Sequence, residues 1–346
     1  MSSSDLREQI ALLLQDPQDV VLANSILGTA DVETIASRVE SYCREHLGSP
    51  VGECLAFTQS VGSVFALRLA DGRRVVLKAH ALNGSRWGTP TSLEMLGAVY
   101  KVQSELALVG IPCAAVRKPP LLWSNQVAVV AMDFLEPGPR RDPHDEVVGR
   151  IMAEGLAEFT RRAEPLQTVA HLPSWSMPKG QLFPTPHNAL FDFGIAGGEW
   201  IDEHASRARA RIDALPETRV FTHTDFSSAN VLVGAQGISA IFDMDSVAFV
   251  DELRLLANTA VHFTYTGEEP WRWPSRAQAR AFVEAYERAR GRPFSRVERT
   301  RLNACAIYSI CYSARCEHAL DPEDRQGSWM RKQLRALDEN ADDLLA

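Results

Sequence analysis

Val220-Phe221-Thr222-His223-Thr224-Asp225-Phe226-Ser227-Ser228-Ala229-Asn230-Val231-Leu232-Val233 is followed by Ile238-Ser239-Ala240-Ile241-Phe242-Asp243-Met244-Asp245. The apolar runs 219–224, 231–233 and 238–242 read as short strands. A turn at Gly234–Gly237 returns the chain to the same edge, so Asp243, thirteen residues after Asn230, is expected beside it. Asp and Asn also populate plain hairpin turns, where their side chains bond the local backbone. What lifts this segment above a turn is the company it keeps: flanking apolar strands, a second Asp at matching distance, and Leu253, Leu255 and Leu256 on a helix just past Asp251.

Upstream, residues 31–47 place Val32, Ile35, Val39 and Tyr42 at helical spacing before Gly48 and Pro50. Three β-like runs follow at 54–60, 63–70 and 73–82, the last two joined by the hairpin dipeptide Asp71-Gly72. Beyond a loop containing Gly84, Gly88 and Pro90, residues 92–110 carry Leu93, Leu96, Val99, Val102, Leu106 and Val109 on one helical face, closed by Gly110. Runs at 121–123 and 126–135 then precede Pro137-Gly138-Pro139, after which long helical patterns dominate: near 145–162, 200–214, 252–263, 275–290 and 295–320. A switch of element type at a Pro/Gly break marks a lobe boundary. The expected organisation is a helical extension over 1–30, a small lobe over 31–136 and a larger one over 137–346.

The pattern His-x-Asp-x-x-x-x-Asn, with a strand ending in a further Asp, resembles the aminoglycoside phosphotransferases, choline kinases and type II homoserine kinases, small-molecule kinases with a protein-kinase-like fold. The resemblance implies an α+β, two-lobed architecture: a small lobe with an antiparallel sheet and one helix, and a mainly helical larger lobe. It also implies transfer of the γ-phosphoryl group of ATP, or GTP, with Mg²⁺, onto a hydroxyl of a small molecule. Asp225 would then be the base or hydroxyl-positioning carboxylate, His223 the brace of its loop, and Asn230 and Asp243 the Mg²⁺ ligands. Such oxygen donors suit a hard cation.

The first half carries its own indications. Only five lysines stand against 31 arginines, and Lys78 lies inside the apolar run Val75-Val76-Leu77-Lys78-Ala79, as does the phosphate-binding lysine of kinases. An edge-strand lysine facing solvent would read the same way. Its acidic partner is Glu94 or Glu105, and the resemblance favours the earlier position, Glu94. The turn Gln59-Ser60-Val61-Gly62-Ser63 stands where the family binds phosphates; Gly62 permits close backbone approach, and Ser60 and Ser63 offer hydroxyl donors. Met132, Asp133 and Leu135 resemble the segment whose backbone binds the nucleobase. Thr224, Phe226 and Met244 depart from the family's usual residues, which loosens the subfamily and leaves the carboxylates in place.

Composition excludes other classes. The 346 residues are 45% apolar and 23% charged, as in ordinary globular chains, and a net charge of −8 without runs of like charge offers no nucleic-acid footprint. With neither a leader pattern nor an 18-residue apolar stretch, a cytoplasmic protein without membrane contact is expected, as monomer or dimer. The six cysteines, without a C-x-x-C pair, read as buried thiols, and the spacing of Cys305, Cys311 and Cys316 before His318 fits no zinc pattern. For the acceptor, an aminoglycoside or related antibiotic heads the expectations, with homoserine, choline or a sugar as alternatives and a catalytically silent nucleotide-binding module behind them. Asp251, Glu268, Glu269, Glu317, Asp321, Glu323 and Asp324 are candidates to meet a polycation, and solvated helix ends are the plainer account of most. Trp175, Trp271 and Trp273 are candidate stacking surfaces. A protein kinase is disfavoured because G-x-G-x-x-G, D-F-G and A-P-E are missing.

Overall fold

The computed structural model describes residues 5–84, 88, 90–136, 138–267, 272–324, 329–337 and 344–345. Glu268, Glu269, Trp271 and Pro137, named above, lie outside the described residues. The chain is α+β and divides into two compact units, the first comprising 1–107, 114–136 and 185–190, the second 108–113, 137–184 and 191–346.

The first unit is built on an antiparallel sheet of β1 (Val51–Gln59), β2 (Ser63–Leu69), β3 (Arg74–Ala81), β4 (Val116–Ser124) and β5 (Val127–Asp133), in the order β1-β2-β3-β5-β4. Gly72, at φ 87°, makes the β2–β3 turn that Asp71-Gly72 predicts. The continuous apolar run of β5 has a physical reason: Val127, Val129 and Ala131 enter one core while Ala128, Val130 and Met132 enter another. A strand covered on both faces has no polar side to alternate with. α4 (Leu93–Leu108) supplies Leu96 and Tyr100 to the second core. The first core is filled by α1 (Leu6–Leu13), α2 (Pro17–Leu27) and α3 (Val32–His46) through Leu6, Ile10, Ile26, Leu27, Ile35 and Val39. Asp5, Asp16 and Asp31 cap these helices, each accepting a backbone N–H at 2.8 Å. Residues 1–30 thus include part of a core shared with the sheet. β4 begins five residues earlier than its apolar run suggests, through Pro119-Pro120, at the price of register shifts on an edge strand where missing N–H donors are tolerated.

In the second unit, α5 (Glu146–Ala163), α6 (Glu199–Asp213), α7 (Glu252–His262), α8 (Arg276–Ala289), α9 (Arg296–Leu320) and α10 (Trp329–Arg335) surround two small antiparallel pairs. β7 (Val231–Gly234) and β8 (Gly237–Ile241) form the expected hairpin. β6 (Arg219–His223) pairs with β9 (Val247–Asp251), a strand that no local turn signal announces. β9 is fixed at its end by buried charges. Asp251 accepts from Arg301 Nε at 3.2 Å and Nη2 at 3.0 Å, and Glu252 accepts from Tyr286 at 3.1 Å and Arg290 at 2.8 Å. All six cysteines are free and buried, no group of three or more metal-ligating side chains occurs among the described residues, and no helix among them is long and apolar enough to cross a membrane.

Candidate active site

β6 ends at His223, whose ring is fully buried between Phe159 and Phe226, each edge-on at 5.9 Å. Its two nitrogens do different work. Nδ1 accepts the Asp225 N–H at 3.2 Å, which leaves the proton on Nε2, and Nε2 donates to the Phe242 carbonyl at 2.9 Å. One imidazole therefore ties the residue after the loop's start to the residue before Asp243. Thr224 adds a second tie, its N–H and hydroxyl both donating to Ser246 O at 3.0 and 2.7 Å. Phe242 N–H donates to Asn230 O at 2.7 Å, so the loop's far end is joined to the same strand. Asp225, Asn230 and Asp243 thus share one braced frame.

Asn230 Nδ2 donates to Asp225 Oδ2 at 2.8 Å and to Asp225 O at 3.1 Å. With its nitrogen so engaged, the amide presents Oδ1, a hard donor, on its other side. Asp243 sits at φ 56°, ψ 40°, the left-handed region that few non-glycine residues enter and that Asp and Asn tolerate best. Such strain persists where the surroundings impose it, and here they are the hydrogen bonds of Phe242 and Ser246. The Asp225 pKa is raised, first by loss of bulk water around its carboxyl and then by the like charge of Asp243; the bond from Asn230 opposes the rise. Because the residue keeps contact with solvent, its desolvation is partial, and the proximity of Asp243 is the firmer cause.

A second segment borders this loop. Ser228 N–H donates to Phe263 O at 2.9 Å, and a methyl on Gly267 would lie 3.9 Å from the Ala229 methyl. Between them, Tyr265 stacks on Trp273 with centroids 5.2 Å apart and planes 8° from parallel. Burial, and after it the charge of Asp225, push the Tyr265 phenol up, which puts that ring within electrostatic reach of the carboxylate. His262, pulled down to about 4 by burial, meets Trp273 edge-on as a neutral ring. Tyr265 follows the end of α7 and carries no periodic or motif signal in the sequence.

In the first unit, Lys78 lies on β3, 6% exposed, opposite Val64 and Val130. A methyl on Gly62 would come within 2.9 Å of Ala79 O and 3.3 Å of Lys78 Cε, so only glycine lets the β1–β2 turn pack over the lysine stem. Of the two serines in that turn, Ser60 is exposed, whereas Ser63 is fully buried and its hydroxyl donates to Gln59 Oε1 at 3.1 Å. Ser63 therefore braces the turn instead of presenting its hydroxyl, a departure from the expected donor role. Gln59 continues the brace, donating to Asp19 O on α2 at 3.2 Å. Glu94 stands in the first turn of α4 and Glu105 in its last turns, both exposed. Met132 ends the apolar part of β5; the Asp133 carboxylate pairs with Arg117 and its N–H donates to Ala115 O at 2.8 Å. The candidate acidic residues resolve mostly into structure: Asp251 is locked to Arg301, Glu317 accepts the Met330 and Arg331 N–H groups at 3.0 Å, Asp321 accepts from Asp324 N at 3.1 Å, and Asp324 pairs with Arg331 at 3.5 Å.

In structure the chain is similar to the amicoumacin kinase hAmiN, solved with AMP-PNP, Ca²⁺ and Ami, at TM-score 0.60 and 10% identity over 88% of this chain and 93% of that one. Spectinomycin phosphotransferase APH(9)-Ia with ADP and spectinomycin gives 0.55 and 13%, over 90% and 96%. A thermostable mutant of aminoglycoside phosphotransferase APH(4)-Ia with ADP and hygromycin B gives 0.52 and 15%, over 86% and 97%. No curated protein matches the chain in sequence. At these identities the likeness is one of fold. The family model of the phosphotransferase enzymes (APH), however, matches residues 59–298, which span the Gln59–Ser63 turn, Lys78, the loop from His223 to Asn230 and Asp243, and the chain belongs to the phosphotransferase enzyme family.

Proposed function

We propose that the protein transfers the γ-phosphoryl group of ATP or GTP to a hydroxyl of a small molecule, an aminoglycoside or related antibiotic. The observation that carries the reading is the Asp225 carboxylate held at 2.8 Å by Asn230, in a frame that also fixes Asp243. In this reading the acceptor hydroxyl hydrogen-bonds to Asp225. The acceptor oxygen bonds to the γ-phosphorus, the bond from phosphorus to the β–γ bridging oxygen breaks, and its electron pair leaves with the nucleoside diphosphate. The acceptor proton goes to Asp225, whose raised pKa suits it to receive one. His223 touches no reactant and acts by positioning.

The donor set fits a divalent cation of the Mg²⁺ type. Asn230 offers an amide oxygen and Asp243 a carboxylate, and such ions take one or two protein oxygens and complete their shell with phosphate and water. When bound, the ion would offset charge on the phosphate oxygens. Lys78, under the Gly62 turn, is assigned to the phosphates with Glu94 as its acidic partner; Ser60 and the Gly62 backbone would flank them, and Asp133 O with Leu135, beside Met132, would take the base. The Tyr265–Trp273 stack beside the loop is assigned to the acceptor, because an aromatic face suits both sugar rings and ammonium groups. The test is a coupled ADP-release screen with ATP and GTP over hygromycin B, spectinomycin, other aminoglycosides and macrolides, with homoserine, choline and simple sugars as further arms. Turnover with an antibiotic is expected. Turnover confined to a metabolite would replace the substrate class, and binding of nucleotide without any turnover would replace the enzyme by a silent module.

A further inference from the structure

Ser227 stands between Asp225 and Asn230 and is 4% exposed, yet its hydroxyl makes no hydrogen bond of ordinary geometry. Among the described residues of the loop it is the one buried side-chain polar atom in that state. Its neighbour shows the ordinary solution: Ser228 Oγ rests on Met152 Sδ at 3.4 Å. The Ser227 backbone is fixed, because its carbonyl accepts from Asn230 N at 3.0 Å and Val231 N at 2.8 Å, which leaves only side-chain rotation free. The hydroxyl lies close enough to the Asp225 carboxyl to favour its charged form, but through a contact that lacks ordinary hydrogen-bond geometry. A buried hydroxyl left unpaired costs folding free energy that an alanine at the same place would not. A group retained at that cost, on the loop between the carboxylate and the amide oxygen, is explained if its partner arrives with a ligand.

We propose that Ser227 is a catalytic residue whose hydroxyl donates a hydrogen bond to an oxygen of the phosphoryl group being transferred. This rests on the kinase reading above and adds a phosphoryl contact to it. A phosphoryl group brings three anionic acceptor oxygens, and a neutral donor beside Asp225 meets them without neutralising the carboxylate. A γ-phosphate is the part of the nucleotide that a diphosphate lacks, so the contact should be legible in binding alone, with no acceptor and no turnover.

The experiment is calorimetric titration of wild type and Ser227→Ala with Mg·AMP-PNP and with Mg·ADP, together with the melting temperature of each ligand-free protein. Ser227→Ala is expected to melt at or above the wild-type temperature, to bind Mg·ADP within twofold of wild type, and to bind Mg·AMP-PNP about 10-fold more weakly, the effect of a hydrogen bond to a charged group. Ser227→Thr, which keeps the hydroxyl, should recover most of the difference between the two nucleotides. Equal weakening of both nucleotides, or no weakening of either, would overturn the assignment. So would a lowered melting temperature in Ser227→Ala, which would reveal a structural partner such as a buried water. Wild-type protein that binds neither nucleotide would overturn the kinase reading and this one with it; wild-type binding with an indifferent Ser227→Ala would overturn this one alone.

Discussion

His223→Phe separates the ring's packing from its hydrogen bonds. Phenylalanine keeps an aromatic ring between Phe159 and Phe226 but can neither accept the Asp225 N–H nor donate to Phe242 O. Two backbone groups, the N–H of Asp225 and the carbonyl of Phe242, then lose the partner that a fully buried ring supplied. At about 1–3 kcal/mol for each orphaned group, the loss of stability is about 2–6 kcal/mol. With a shift of about 2–4 °C per kcal/mol for a unit of this size, the melting temperature should fall by about 4–24 °C. Catalysis should suffer further, because the same two bonds align Asp225 with the residue before Asp243, and a displacement of about 1 Å in reacting groups lowers rates by about 10²-fold. Differential scanning calorimetry reads the first effect, and coupled ADP release at a temperature where the variant is folded reads the second. A variant melting within about 2 °C of wild type, or turning over within about threefold of it, would refute the argument that this imidazole holds the site together.

Asp225→Asn should abolish transfer yet raise the melting temperature at neutral pH. A pKa raised by folding marks stability present below the unfolded pKa and lost as pH rises through the folded one, and asparagine removes the charge responsible; a lowered melting point would contradict this. By the same sign, wild-type turnover should fall as pH is lowered through a value above the ordinary aspartate pKa, and an acid limb at or below that value in the pH profile of kcat would argue against Asp225 as the ionised group. Gly62→Ala places a methyl 2.9 Å from Ala79 O and should weaken nucleotide binding by about 10-fold or more, since the turn must lift off the lysine stem; an unchanged titration with Mg·ATP would count against the turn's role. Arg301→Leu leaves the buried Asp251 carboxylate with the Thr218 N–H at 3.3 Å and should cost about 3–5 kcal/mol in urea unfolding, much of it recovered in Asp251→Asn/Arg301→Leu; a single variant as stable as wild type would show that the pair does not anchor β9.

Much of the fold was legible because its signals are local. Asp71-Gly72 announces a turn, and the apolar runs at β2, β3 and β5 have no other comfortable state. β9 was not legible: Val247–Asp251 runs straight into α7 without a turn signal, and only pairing with β6, some thirty residues earlier, makes it a strand. Pro119-Pro120 hid the first half of β4, since missing N–H donors matter only when one knows that the strand lies at an edge. In the site, the oxygen-bearing residues stood out by type and spacing. The Ser63 hydroxyl could not be placed, because a serine in a turn reads alike whether it faces a ligand or, as here, Gln59. Tyr265 and the acidic residues near α10 depend on tertiary neighbours that one sequence does not declare: the tyrosine proved to lie beside the loop, and Asp324 and Glu317 proved to hold Arg331 and the start of α10.

The left-handed backbone at Asp243 bears on how such a chain would fall silent over generations. A residue there must satisfy the backbone before it satisfies a cation, and asparagine and glycine are the replacements that fit without strain. Drift to alanine or serine would damage folding as well as chemistry and be purged on both counts. Inactive descendants should therefore carry Asn or Gly at this position, and a survey of them would recover the backbone angle from the pattern of loss.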